Sequence, residues 1–263
     1  CTLPSNDGID SAKDLGDAIY ELTSRINHSC YPNASCCTVD SNGTNVVRAI
    51  REIKAGEEIL ANYMEPSFLL APAAMRRERL HESYEFVCQC ARCAAYGDDM
   101  LTFPCSQDHC KGFFCLQPGS GSSVIGAHAR ACCECKYILP KDEVQLLAEQ
   151  DFDFAAQVFG VDPSECDGDL QRQILDWKFV HPRHYLTYHL ARLQGSVFQQ
   201  LGDLPSQCAA ARREEGCWRA LGLPQREWAF SLEKLGDLLA LLAKEEEFPS
   251  EGNLLESAAS FQQ

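Results

Sequence analysis

The chain has 263 residues, with 23 Lys plus Arg against 38 Asp plus Glu and a formal net charge of −15 at pH 7. A hydrophobic share of 45% with 23% charged residues suits a globular protein and argues against general disorder. Charges interrupt every apolar run before the roughly 20 residues a membrane span needs, and the acidity opposes phosphate-backbone binding; neither a membrane nor direct nucleic-acid contact is expected.

In chain order, residues 12–24 predict a short helix. Ala34–Val39 and Asn45–Ile50 predict a hairpin about Ser41-Asn42-Gly43, and Ile59–Tyr63 a further strand. Ala73–Ser83 reads as a helix whose Arg76-Arg77-Glu78-Arg79 run is most simply a solvated face. Gly119–Ser123 reads as a flexible loop. Apolar spacing of three to four then predicts helices at Asp142–Phe159, Asp169–Val180, Pro182–Leu201, Pro205–Leu221 and Pro224–Lys244, the three prolines falling in first turns and the helices pairing antiparallel. From residue 141 onward there are 21 acidic and 11 basic residues, which suits either a Lys-rich partner or a merely solvated surface. From Glu245 the chain reads as a frayed, disordered tail.

Nine of the 16 cysteines lie between Cys88 and Cys135, a local density that points to metal rather than to a disulfide scaffold. Cys88, Cys90 and Cys93 form a C-x-C-x2-C set, one thiolate short of a tetrahedral zinc site. Cys105-x4-Cys110 and Cys132-x2-Cys135 form two knuckle-like pairs, in which Cys115 or Cys133 could substitute. Thiolate-rich sets select zinc in a reducing compartment, so one or two structural Zn2+ ions and an intracellular setting, nucleus or cytoplasm, are expected. A zinc deaminase would need His-x-Glu with Pro-Cys-x2-Cys, and neither occurs.

Arg25-Ile-Asn27-His28-Ser29-Cys30-Tyr-Pro32-Asn33 is followed by Gly56-Glu57-Glu58-Ile59, Tyr63, the Tyr84-x-Phe86 pair and the C-x-C-x2-C set. Their order and spacing resemble the SET domain, and more narrowly the SET and MYND domain (SMYD) lysine methyltransferases. The resemblance implies an α+β chain: the C-terminal part of a β-rich SET domain (1–86), a zinc-bound post-SET segment (87–140), an all-α region similar to tetratricopeptide (TPR-like) hairpins (141–245) and a tail (246–263). It implies S-adenosyl-L-methionine as cofactor and a lysine-containing protein or peptide as substrate, with the protein acting as a monomer. It implies that Cys30 completes the first metal set with Cys88, Cys90 and Cys93, and that Tyr63 is the catalytic position. Asn27, His28, Tyr84 and Phe86 would contact the cofactor, His28 mainly through its backbone.

Tyr84 and Phe86 alternate as on an extended segment and are expected to face one side. The family's early Gly-x-Gly strand and its MYND finger are not visible among the first 20 residues. The chain opens on Cys1, without a basic-then-apolar leader, and reads as a fragment. Two functions follow: a protein-lysine N-methyltransferase, or a zinc-stabilised scaffold derived from a SET domain that no longer catalyses.

Overall fold

The computed structural model describes residues 18–38, 43–95, 99–117, 128–162, 168–177, 181–223 and 226–247. Three small sheets precede a run of helices. Strand β1 (Asn27–His28) pairs parallel with β4 (Leu60–Ala61), joining segments more than 30 residues apart. Strands β2 (Ala34–Thr38) and β3 (Asn45–Ala49) form the expected hairpin, with Ala34 opposite Ala49 and Thr38 opposite Asn45. Its β-branched and small residues suit a half-buried ladder, and Gly43 takes a φ of 76° at the exit of the turn. Residues 41 and 42 of that turn lie outside the described residues.

The predicted helix over 12–24 is corrected. Residues 12–17 lie outside the described residues, and of the rest a turn at Glu21 and Leu22 leads into a 3-10 helix, Thr23–Arg25, with no side-chain cap. The strand predicted over Ile59–Tyr63 narrows to Leu60–Ala61, because Asn62 leaves the ladder to bond the backbone of Met64 through both its amide atoms.

Helix α1 (Ala73–Tyr84) follows Pro72 and ends at Glu85 in the left-handed region, φ 58°. Helix α2 (Ala91–Ala94) is a single turn. Strands β5 (Thr102–Pro104), β6 (Phe113–Gln117) and β7 (His128–Ala129) make an antiparallel sheet in the order β5-β6-β7. The Gly119–Ser123 loop lies outside the described residues.

Helices α3 (Lys141–Phe159), α4 (Gly168–Asp176), α5 (Tyr185–Leu201), α6 (Leu204–Leu221) and α7 (Arg226–Glu247) meet the expected number. Their ends are chemically marked. The His184 ring accepts from the Leu186 amide at the start of α5, and Asp203 accepts from Ser206 at the start of α6. Gly202 and Gly222 close α5 and α6 in the left-handed conformation that a Cβ disfavours. Pro205 does sit in the first turn of α6, whereas Pro182 precedes α5 and lies in a turn instead. Helix α7 runs to Glu247, so residues 245–247 continue the helix rather than fray.

Helix α5 packs on α6, and α6 on α7. Trp218 of α6, wholly buried, anchors a core that takes in Leu186 and Tyr188 of α5, Val144 of α3 and Phe103 and Phe114 of the three-stranded sheet. The cysteine-rich sheet and the helices thus share one interior. A second cluster joins Cys30, Cys88 and Cys93 to Leu69, Leu80 and, from the end of α6, Leu223. Among the described residues no helix is long and apolar enough to cross a membrane.

Candidate functional site: an aromatic face clamped by a cysteine cluster

The β1–β4 pairing sets the site. Asn33, completely buried, welds it: its side-chain amide donates to Glu57 Oε1 (3.1 Å) and to the Glu58 carbonyl (2.8 Å), and its Oδ1 accepts from the Leu60 amide (2.8 Å). The Asn-His-Ser-Cys segment and the Gly-Glu-Glu-Ile turn are thereby one piece. Glu57, with the Lys54 amide, Asn33 and Arg51 around it, has its carboxyl held below the usual carboxylate range. The Asn27 amide is turned to the same Gly-Glu-Glu-Ile segment, donating to Glu58 Oε1 at 2.6 Å.

Tyr63 follows β4 and becomes the centre of four rings. Its centroid lies 5.4 Å from His28, 5.1 Å from Tyr84 and 6.3 Å from Phe86. Three hydrogen bonds fix it: its amide donates to His28 Nδ1 (3.1 Å), its hydroxyl to the Ile26 carbonyl (2.5 Å), and its own carbonyl accepts from the Tyr84 hydroxyl (3.0 Å). Burial, then the neighbouring Tyr84 and Cys36, pushes the Tyr63 phenol above its ordinary range, so it remains a donor at neutral pH.

Tyr84 and Phe86 do share this face, but not through an extended segment. Tyr84 is the last residue of α1, and the left-handed Glu85 reverses the chain so that Phe86 returns to the same side, 6.5 Å away. Tyr84 is 48% exposed, leaving the face open to solvent on that side.

Cys30, Cys88, Cys90 and Cys93 bring their sulfurs within 4.8 Å of one another, with Cys30–Cys93 at 3.5 Å and Cys30–Cys88 at 4.0 Å. A tetrahedron of thiolates at about 2.3 Å from zinc has edges of about 3.8 Å, so the donor set fits that ion. None of the described cysteines is disulfide-bonded. The turn of α2 explains part of the convergence, since residues three apart on a helix face the same way and Cys90 and Cys93 are so spaced. The sulfurs compete for protons: Cys88, Cys90 and Cys93 push the Cys30 thiol up, while the Cys30 hydrogen bond holds Cys88 well down and helps bring Cys90 to about 5.

Of the α1 run, Glu78 and Arg79 are exposed, but Arg76 and Arg77 are not part of a solvated face. Arg76 is wholly buried: its guanidinium donates to the Ala71 carbonyl and, at 3.6 Å, to Cys93 Sγ. Arg77 donates to the carbonyls of Cys88 (3.2 Å) and Cys93 (2.8 Å), and Arg92 to those of Cys30 (3.4 Å) and Leu69 (2.7 Å). Four thiolates around a divalent ion would carry a net charge of −2; the buried Arg76 offsets part of it, while Arg92 is itself paired with Asp99 at 3.1 Å. Arg76→Leu should cost about 3–5 kcal/mol, the usual penalty for removing one partner of a buried charge pair, and chemical denaturation measures it.

Cys105, Cys110, Cys132 and Cys135 form the second group, with Cys105–Cys135 at 3.6 Å and Cys110–Cys132 at 3.7 Å. Cys115 stands outside it, 3.5 Å from the Thr102 hydroxyl, and Cys133 also, where its sulfur accepts from the Phe113 amide. Burial alone would raise Cys132, but the Glu134 and Cys135 amides and the neighbouring thiols bring it down to about 6. Gly112 is required here, because a Cβ would stand 2.6 Å from Cys132 Sγ and 2.9 Å from Glu134 Cβ. Gly112→Ala should therefore remove one metal equivalent per chain without replacing a ligand; elemental analysis of the purified variant checks this.

Residues 5–64 match the family described as SET domain. Over 202 residues, 72% of this chain, the sequence is 30% identical to Histone-lysine N-methyltransferase ASHR1 of Arabidopsis thaliana, covering 39% of that protein. It is 42% identical over 86 residues to N-lysine methyltransferase SMYD2 of Homo sapiens, covering 32% of this chain and 18% of the relative. With Histone-lysine N-methyltransferase SMYD3 of Mus musculus it shares 39% over 93 residues, 34% of this chain and 20% of the relative. Over these segments the chain is similar to SET-domain and SMYD proteins. It spans between about a fifth and two fifths of the length of these relatives.

Three residues of this SMYD-like site escape the motif reading. Asn33 closes the Asn-His-Ser-Cys-x-Pro-Asn motif but works as a weld between the two motifs. Arg76 lies four residues before Leu80 and on the same helix face, and that spacing with a wholly buried leucine marks an inward arginine. Arg92 sits inside the C-x-C-x2-C motif and carried no sequence signal of its own.

Proposed function

We propose that the protein containing this chain is an S-adenosylmethionine-dependent protein-lysine N-methyltransferase, held in shape by zinc at Cys30, Cys88, Cys90 and Cys93 and at Cys105, Cys110, Cys132 and Cys135. One observation carries the reading most: Tyr63, hydrogen-bonded by three groups, lies at the centre of an aromatic face whose supporting segments the first cysteine group ties together. Relatives named as lysine methyltransferases support it.

Tyr63 is assigned the catalytic position, and Asn27, His28, Tyr84 and Phe86 the cofactor. The aromatic rings fit a ligand with a flat base and a positive sulfur, since ring faces attract cations. When bound, S-adenosylmethionine supplies a methyl group activated by a positive sulfonium.

The chain's residues do the rest. A lysine amine has an ordinary pKa of about 10.4 and must lose its proton before it can attack; apolar ring walls penalise the ammonium and favour that loss. The Tyr63 hydroxyl, kept protonated, orients polar atoms at the site, and the fixed rings hold the reactants in line and exclude water. The substrate is a lysine-bearing protein or peptide, and the acidic surface of the helices suits a basic one. Helices α3 to α7 serve as the substrate-side TPR-like wall, in a monomer that works in the nucleus or cytoplasm.

The test is mass spectrometry of a lysine-rich peptide after incubation with the full-length, zinc-loaded protein and S-adenosylmethionine. Methylated lysine is the expected product. A folded, metal-loaded protein that leaves the peptide unmodified would point instead to the scaffold function.

A further inference from the structure

The geometry points to a second role for His28: its imidazole is a positioning residue that bridges the metal ligand Cys30 to the backbone of Tyr63. This rests on the functional reading above for Tyr63, and on the cysteine geometry for the metal. The two ring nitrogens face opposite ways. Nδ1 lies 3.1 Å from the Tyr63 amide, which can only donate, so Nδ1 accepts. The ring hydrogen then sits on Nε2, which lies 3.3 Å from Cys30 Sγ and donates to it. The backbone of the same residue is paired in β1 with Ala61, two residues before Tyr63, so ring and main chain both hold the tyrosine's segment.

The consequence for the metal is electronic as well as geometric. An N–H donor to a thiolate draws electron density from sulfur and fixes its lone-pair direction, and outer partners of this kind commonly change metal affinity about 10- to 100-fold. The consequence for Tyr63 is alignment. Loss of the imidazole leaves its amide without this acceptor and frees the ring that lies 5.4 Å from His28. Phe86, 5.9 Å from the same imidazole, borders the same contact, so a displaced His28 disturbs two walls of the face at once.

The experiment replaces zinc with Co2+ in the full-length protein and compares wild type with His28→Phe and His28→Gln. His28→Phe keeps a ring but offers no N–H and no acceptor. It should bind Co2+ about 10- to 100-fold more weakly and move the sulfur-to-cobalt charge-transfer band to lower energy. In the methylation assay it should lower kcat with little change in the peptide KM. His28→Gln, whose side chain can donate to sulfur and accept from the Tyr63 amide, should recover most of each effect. Unchanged Co2+ affinity and an unchanged band in His28→Phe would overturn the bridge.

If His28→Phe does not fold, nitrogen NMR of the wild-type imidazole decides: hydrogen on Nε2 is required, and hydrogen on Nδ1 overturns it. The cobalt and NMR readouts do not depend on turnover. A protein that transfers no methyl group defeats the functional reading alone, and an unmoved cobalt spectrum in an active enzyme defeats the bridge alone.

Discussion

Cys30→Ser abolishes the first metal site and dismantles the aromatic face with it. Zinc bound to four thiolates contributes apparent free energies of about 10–16 kcal/mol at neutral pH, comparable to the whole stability of a domain. Cys30 is buried between β1 and β2, and its sulfur meets Cys88, Cys90 and Cys93 from the other end of α1. Serine offers a hydroxyl that zinc does not exchange for a thiolate at this pH, and Arg76, wholly buried against Cys93 Sγ, is left without the metal-thiolate charge it would offset. The expected result is the loss of one metal equivalent per chain, a markedly lower unfolding temperature and a weakened near-ultraviolet signal from Tyr63 and Tyr84. Cys36→Ser and Cys37→Ser, on strand β2 and outside both cysteine groups, should keep both ions. Full metal content in Cys30→Ser would show that the three remaining thiolates suffice.

Tyr63→Phe lowers kcat by on the order of 10²-fold while the metal content and unfolding temperature stay close to wild type. The phenol hydrogen is held by the Ile26 carbonyl, so its oxygen is presented as one oriented acceptor, and losing one oriented hydrogen-bonding group at a reacting centre commonly costs that much. Its ring remains to fill the space among His28, Tyr84 and Phe86, so packing changes little. The pH profile separates two roles. Burial pushes the Tyr63 phenol upward, so it stays protonated through the range in which the rate is measured. The rate should rise with pH as the substrate amine, ordinary pKa about 10.4, loses its proton, and the slope should be the same in Tyr63→Phe. A profile that flattens in the variant would make Tyr63 the base instead. Tyr84→Phe, which loses the bond to the Tyr63 carbonyl but leaves the Tyr63 hydroxyl in place, should have a smaller effect.

Local chemistry made part of this legible. The hairpin followed from alternation around an Asn-Gly turn, and its ladder runs from Ala34–Ala49 to Thr38–Asn45. The helices followed from apolar spacing, whereas their closure at Gly202 and Gly222, both at positive φ, is seen in the structure. The choice of Cys105, Cys110, Cys132 and Cys135 over Cys115 and Cys133 was open in the sequence, because two adjacent cysteines in a turn differ only in which side they face.

Other features depend on distant partners. Of residues 18–22 only Tyr20 is half-buried, its hydroxyl on the Gly43 carbonyl, and the described part of the helix expected there shortens to the 3-10 turn at Thr23–Arg25. Tyr84 and Phe86 converge through a left-handed Glu85, a conformation that a glutamate does not advertise. The charge of Arg76 suggested solvent, and the Ala71 carbonyl with the distant Cys93 sulfur supplies the partners that its burial needs.

The most direct test of the central claim, that the first cysteine group holds together a face able to bind the cofactor, is calorimetric titration of S-adenosylmethionine into the full-length protein before and after chelation. The account predicts one cofactor bound per zinc-loaded chain, none after the metal is withdrawn, and recovery when zinc is returned. Binding that persists unchanged in the metal-free protein, or its absence from a folded protein carrying zinc, would contradict it.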